Sequence, residues 1–253
     1  MENIFSKRQN LILDMLEGQE GLPVTEISTR LALSVVTIRT ELRFLETKGL
    51  IYRSNGKVYN NLNVPMQFRF KKKLKEKNAI AKKAATLIDD NDSIMICQGS
   101  TAALVPTFLT NKIGIKIVTN SFQTLEVCKN TSNFEINFIG GKYYPLLDAN
   151  VGANAIEQVN NYFVDVLFIG ADGVSSDFGV STAMEENSQL LRKMSQNASK
   201  TILLVDSTKI GIKALFKILS LTELSTIVSD SNCPKSFINE ANKQGVEVII
   251  AEI

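Results

Sequence analysis

From residue 93 onward the chain carries seven short runs that are apolar almost throughout: SIMIC, KIVTN, EINFIG, VLFIGADG, TILLVDS, TIVSD and VEVIIA. They do not alternate polar with apolar, and helical stretches separate them. Strands buried on both faces have this composition, and parallel neighbours need crossover connections, usually helices. The expected class is therefore α/β, with a mostly parallel sheet between helices in three layers. The chain is 44% hydrophobic and 21% charged, ample for a core. No apolar run approaches the roughly 18 residues that span a bilayer, and MENIFSKRQN lacks the charged-then-apolar layout of a signal peptide. A cytoplasmic protein without a membrane partner is expected.

The N-terminal third reads differently. Residues 1–83 hold 16 Lys and Arg against 8 Asp and Glu, a net of +8, whereas residues 84–253 hold 12 against 18, a net of −6. That asymmetry fits a polyanion-binding module attached to something else, and equally a solvated basic surface. Residues 6–18 set Leu11, Ile12, Met15 and Leu16 on a helical stripe closed by Gly18 and Gly21. A second helix is expected over 24–31, and Ser34 caps a third that runs to Lys48 and stops at Gly49. Two β-prone runs then flank Asn55-Gly56, both of which accept the positive φ of a type I′ turn. Three short helices and a hairpin make a winged helix-turn-helix, expected over 1–60; a plain three-helix packing unit has the same outline.

In the third helix Val35, Ile38, Leu42 and Leu45 share one face and lock it to the other helices. The opposite side presents Val36, Thr37, Thr40, Arg43 and Thr47, with Arg39 at its edge. Uncharged and cationic side chains there reach phosphates and base edges without repulsion. Ser34 at the helix start, with Arg53 and Lys57 on the hairpin, completes the candidate DNA-contacting set. Phe44 falls on the polar side and has no clear role in this scheme.

Residues 66–83 contain 8 basic residues against one acid, Glu76, and then acquire a helical pattern. A basic linker over 61–75 and a second domain over 76–253 are expected. In that domain a strand ending at Cys97 feeds Gly99, Ser100 and Thr101 and then a helix. Free backbone N–H groups at such a junction suit a phosphate. Ligands of open parallel sheets gather beyond the strands' carboxyl ends. Asn120, Ser121, Gly140, Gly141, Lys142, Asp172 and Lys209 are expected there too, with Lys209 neutralising a phosphate and Asp172 accepting sugar hydroxyls. Helix capping by Ser100 and Thr101, and turn or surface roles for Asp172 and Lys209, are the alternatives. With no histidine and three scattered cysteines, Cys97, Cys128 and Cys233, no metal site and no disulfide framework are expected.

The stretches KRQNLILDML and LPVTEISTRLALSVVTIRTELRFLETKGLIYR resemble the N-terminal domain of the DeoR family of bacterial sugar-operon regulators. The likeness rests on Arg8-Gln9, Ile27, Leu31, Ser34, Thr37-Ile38-Arg39, Leu42, Leu45, Gly49-Leu50 and Arg53. It continues through KNAIAKKAATLIDDNDSIMICQGSTAALV, IVTNS, FIGGKYY, VDVLFIGADGVSSDFGVST and LLVDSTKIG, in family order and spacing. The resemblance implies a repressor of a sugar-catabolism operon, acting as a homodimer or homotetramer on double-stranded operator DNA and controlled by a phosphorylated sugar. It also implies a sensor domain resembling ribose-5-phosphate isomerase. Thr40 and Glu41 stand where the family usually has arginine and aspartate, and Asn55-Gly56-Lys57 where its wing has His-Gly-Gly. Gln98 replaces an aspartate, Tyr144 an arginine and Asn187 an acid. An isomerase-like enzyme is the alternative function, and it needs a general base and a proton-transfer partner. Asp172 and Glu186 are present, but the lysine that such isomerases keep is missing from VSSDFGVSTAM. Binding without turnover is expected, with no catalytic residue and no cofactor.

Overall fold

The computed structural model describes residues 6–16, 21–47, 50–60, 66–129 and 134–253. The chain divides into two compact units, Met1–Phe68 and Arg69–Ile253.

The first unit runs α1 (Lys7–Leu16), β1 (Leu22–Pro23), α2 (Val24–Leu31), α3 (Val35–Thr47), β2 (Ile51–Ser54) and β3 (Lys57–Asn60). Ile12, Leu16, Ile27, Ile38, Leu42, Leu45, Ile51 and Val58 are buried together as its core. Ser34 caps α3, its Oγ accepting from the Thr37 amide at 3.1 Å. The hairpin turns on Asn55 (φ 49°) and Gly56 (φ 76°), both in the left-handed region that a type I′ turn requires. Strand β1, which no local pattern predicts, pairs antiparallel with β3 and makes the wing three-stranded. Two residues, one of them a proline without an N–H, leave no periodicity to read. Gly18, Lys48 and Gly49, the expected helix ends, lie outside the described residues.

The stretch read as a linker carries α4 (Met66–Lys71) and the start of α5 (Leu74–Ala85); its residues 61–65 lie outside the described ones. Then come β4 (Ser93–Ile96), a 3-10 helix (Ala102–Phe108), β5 (Lys116–Thr119), α6 (Phe122–Lys129) and β6 (Glu135–Phe138). A hairpin of β7 (Lys142–Tyr144) and β8 (Ala149–Val151) leads to α7 (Ala153–Val159) and β9 (Val164–Ile169). After β10 (Gly173–Ser175), β11 (Gly179–Thr182), α8 (Glu185–Gln196) and β12 (Ala198–Leu204), a short 3-10 turn spans Ser207–Lys209. Strands β13 (Phe216–Leu219) and β14 (Thr226–Asp230), α9 (Lys235–Lys243) and β15 (Glu247–Ala251) finish the unit.

The seven apolar runs are the seven strands of one sheet, ordered β15-β14-β12-β9-β4-β5-β6. All six pairings are parallel, with Ile96 opposite both Thr119 and Phe168. Ile94, Ile96, Val166, Phe168, Ile202 and Leu204 face Ile80, Ala84 and Val105 on one side. Met95, Leu167, Ile169, Leu203 and Ile227 face Ala155, Leu190, Met194 and Phe237 on the other. Burial on both faces explains why these strands read as unbroken apolar runs. The chain lays β4, β5 and β6 toward one edge, then restarts with β9 on the other side of β4. The ends of β4 and β9 are thus the topological switch point, beyond which ligands of such sheets gather.

All three cysteines are free and buried. Burial pushes the Cys97 and Cys128 thiols up to about 12, so neither is a reactive thiolate. Among the described residues no cluster of acidic, histidine or cysteine side chains is built to hold a metal, and no helix is long and apolar enough to cross a membrane.

Candidate functional site

In the first unit, α3 presents Val36, Arg39, Thr40 and Arg43 as exposed residues, with Val36 at 73%. Both acids of this helix are engaged within the unit. Glu41 accepts from the Gln9 amide at 2.8 Å, and Glu46 accepts from Arg53 at 2.5 and 3.0 Å. Their charge is thereby partly answered before any phosphate approaches. Arg53 is thus tied to the recognition helix as its clamp, whereas Lys57 is exposed on the wing. The Ser34 and Thr37 hydroxyls meet at 2.9 Å, and Thr40 bonds back to the Val36 carbonyl at 3.2 Å. Phe44 is 39% exposed.

In the second unit, the loops after β4 and β9 meet so closely that a Cβ on Gly99 would lie 3.8 Å from the Gly170 Cα. Among the described residues no backbone acceptor takes the amides of Gly99, Ser100 or Thr101. The helix that follows is 3-10, with Pro106 inside it, and not the regular helix expected. The missing proline N–H disfavours an α-helical ladder there. Any anion at this turn is therefore held by local amides and hydroxyls rather than by an α-helix dipole.

Asp172, one loop away, has a side chain 10% exposed. Its Oδ1 accepts from Arg69 Nη1 at 2.9 Å, and its Oδ2 from the Thr182 hydroxyl at 2.9 Å and the Ala183 amide at 3.0 Å. Burial alone would raise its pKa; the nearby Arg69 and Lys209 charges and the two Oδ2 bonds outweigh it and hold the carboxyl below its usual value. Lys209 is half-buried at the end of the Ser207–Lys209 turn, its pKa lowered by burial against the pull of Asp172. Lys77, 5% exposed on α5, donates to the Arg69 carbonyl. Burial pushes its pKa down to about 8, opposed by Asp206 and reinforced by Lys209, Arg69 and Lys72.

A chain of buried polar side chains leaves Asp172. Thr182 accepts from Asn187 Nδ2 at 3.1 Å, Asn187 Oδ1 accepts from Gln98 Nε2, and Gln98 Oε1 accepts from Asn120 Nδ2 at 2.8 Å. Asn120 Nδ2 also donates to the Asn150 carbonyl at 2.8 Å. An ionised carboxylate only accepts, which fixes the direction of every bond in this chain. Asn120 Oδ1 is left buried without a partner among the described residues.

The structure thus brings Asp172 and Lys209 near enough for each charge to act on the other and links Asn120 to Asp172 through hydrogen bonds. Ser121, Gly140, Gly141 and Lys142 have structural roles of their own. Ser121 Oγ caps α6 by accepting from the Thr124 amide at 3.2 Å. The Gly140 amide donates to Gln158 Oε1 at 2.9 Å, and a Cβ on Gly141 (φ 145°) would meet the Val151 carbonyl at 2.8 Å. Lys142 is exposed and pairs with Glu186 at 3.0 Å. Sequence reasoning missed Arg69 and Lys77. Lys77 carried a signal, since it falls on the apolar stripe of Ala81 and Ala84.

Residues 8–61 match the DeoR-like helix-turn-helix domain, and residues 72–231 match the DeoR C-terminal sensor domain. The chain belongs to the DeoR family. It is 30% identical to the transcriptional repressor GlcR of Bacillus subtilis, over 95% of this chain and 94% of that one. It is 28% identical to a putative aga operon transcriptional repressor of Escherichia coli O157:H7, over 97% and 93%. The L-fucose operon activator of Haemophilus influenzae is 26% identical over 96% and 99%. A solved ribose 5-phosphate isomerase from Methanocaldococcus jannaschii matches 53% of each chain at 23% identity, with a TM-score of 0.39. This DeoR-family chain is a DNA-binding transcriptional regulator, with its helix-turn-helix in the first unit and its sensor in the second.

Proposed function

We propose that the protein represses a sugar-catabolism operon and that a phosphorylated sugar bound in the sensor unit relieves repression. Of the relatives named above, two are repressors, and the L-fucose operon activator takes its name from a sugar. The observation that carries the effector reading is the turn after β4, at the β4/β9 switch point of the sheet. Its amides at Gly99, Ser100 and Thr101 suit a phosphate, and the buried Lys77 and half-buried Lys209 supply charge. Asp172 takes a sugar hydroxyl, and Asn120 Oδ1 accepts a second. Binding without turnover fits the carboxylates. Asp172 is held below its usual value, which makes it a weaker base, and Glu186 is half-buried and paired with Lys142. On DNA, Arg39, Thr40 and Arg43 face the major groove and Lys57 the adjoining backbone. Two-fold operators favour a homodimer or homotetramer.

The pH dependence of effector binding tests this site. Below about 8 Lys77 is cationic, and above it neutral. A sugar phosphate is already largely dianionic at pH 7, since its second pKa lies near ~6. Its thermal stabilisation of the protein is therefore expected to weaken as pH rises through about 8. Lys77→Met should flatten that profile and weaken binding at pH 7 by about tenfold, for the loss of one charge-assisted bond of ~1.5 kcal/mol. Unphosphorylated sugars should give no shift at any pH. A wild-type profile unchanged between pH 7 and pH 9 would remove Lys77 from the phosphate site.

A further inference from the structure

Val36 is the most exposed large apolar side chain described in the first unit, at 73%, against 41% for Leu11 and 39% for Phe44. It belongs neither to that unit's core nor to the partly buried residues packed against it. A β-branched residue with nothing to pack on also costs helix stability relative to alanine, because its χ1 freedom is lost against the preceding turn. Neither packing nor helix propensity accounts for a valine at this position. Its place on α3 is informative. Counted at 100° per residue, Val36, Arg39, Thr40 and Arg43 fall within an arc of about 100°, and Phe44 falls outside it. All four side chains are exposed. Val36 stands in the first turn of α3, and the N-terminal residues of a recognition helix are the ones that contact base edges.

We infer that Val36 is a specificity-determining residue of the recognition helix and that the group it reads is the C5-methyl of a thymine. Its side chain has neither donor nor acceptor, so it makes no hydrogen bond to a base. In the major groove the apolar group that a base pair presents is the thymine methyl. Thr40, one turn on, donates its hydroxyl proton to the Val36 carbonyl at 3.2 Å, so that proton is engaged within the helix. The start of this face therefore offers the groove apolar surface beside the Arg39 guanidinium. Charge brings the face to DNA: Arg39, Arg43 and Lys57 are exposed, while Gln9 and Arg53 hold the helix's two acids. The inference rests on α3 being the helix that enters the major groove, and it names one base of the operator. Non-specific binding is electrostatic, so an uncharged valine acts on specific binding alone.

The test uses the full chain and an operator selected by the wild type from random DNA duplexes. Each thymine of its half-sites is replaced in turn by deoxyuridine, which removes the C5-methyl and leaves the hydrogen-bonding edge unchanged. Wild type, Val36→Ala and the Arg39→Ala/Arg43→Ala double variant are titrated on every duplex and on an unrelated sequence. At one thymine of each half-site, deoxyuridine should lower wild-type affinity about fourfold, the effect of burying one methyl group. At that position Val36→Ala should bind the thymine and deoxyuridine duplexes with nearly equal affinity. It should respond like the wild type at every other thymine and on the unrelated sequence. Its circular dichroism should be unchanged, because alanine favours the helix. The inference is wrong if the wild type is indifferent to deoxyuridine at every position, if the selected half-sites hold no thymine, or if Val36→Ala keeps the wild-type preference. If the double variant binds the selected operator as tightly as the wild type, α3 is not the reading helix, and the inference falls with that reading.

Discussion

Replacing Arg39 and Arg43 together with alanine should abolish specific operator binding at concentrations where the wild type is saturated. Both side chains lie on the exposed face of α3, and both carboxylates of that helix are held by Gln9 and Arg53. The arginines therefore carry the positive charge of the recognition face. An arginine reaching a base edge contributes about 1–3 kcal/mol of discrimination, so removing both weakens binding by roughly thirtyfold or more. The salt slope should fall by about one for each phosphate that is no longer neutralised. Alanine favours a helix at exposed positions, so circular dichroism should stay unchanged. Wild-type affinity in the double variant would mean that α3 is not the reading helix. Arg53→Ala should act differently: it frees Glu46 beside the DNA face and lowers affinity even if Arg53 touches no phosphate.

The largest stability effect should come from Phe168→Ala. Phe168 is fully buried on β9, at the middle of the parallel sheet, against Ile80, Ala84 and Val105. A buried phenylalanine cut to alanine costs about 3–5 kcal/mol, a large share of the roughly 5–15 kcal/mol typical of a folded protein. The sensor unit's urea midpoint should fall sharply while its slope stays constant, because the surface exposed on unfolding is nearly the same. The loops of the proposed site hang from β4 and β9, so effector binding should weaken with it. A cost below about 1 kcal/mol would mean that the site collapses around the cavity far better than a close-packed core allows.

The strands were legible because burial on both faces writes them as unbroken apolar runs, and the wing because Asn55-Gly56 admits few other conformations. β1 was not legible, nor were β7, β8, β10, β11 and β13, strands of only two to four residues, too short for a period to emerge. Gly99, Asp172 and Lys209 followed from one rule, that ligands gather beyond the ends of parallel strands. Arg69 escaped notice because it stands in a run of basic residues that reads as a solvated linker, and its partner Asp172 is 103 residues away. No local pattern encodes such a pair. Pro106 could have warned that the helix after Thr101 would not be a regular α-helix. The amide relay from Asn187 to Asn120 depends on side chains from two separate strand ends and the start of α8, which only the folded sheet brings together.

A sugar phosphate bound at residues 99–101 is proposed to control the hold on DNA. The most direct test is fluorescence anisotropy of the selected operator bound to wild type and to Thr101→Asp, titrated with a sugar-phosphate panel and the unphosphorylated parents. Thr101 is 7% exposed at the turn, so an aspartate there sets a negative charge where the phosphate should sit. Both proteins should bind the operator alike. One sugar phosphate should release the wild type, its unphosphorylated parent should not, and Thr101→Asp should stay on the DNA at the same ligand concentration. Release of both proteins by the same compound at the same concentration, or release of the wild type by the parent sugar alone, would mean that no phosphate at this turn controls DNA binding.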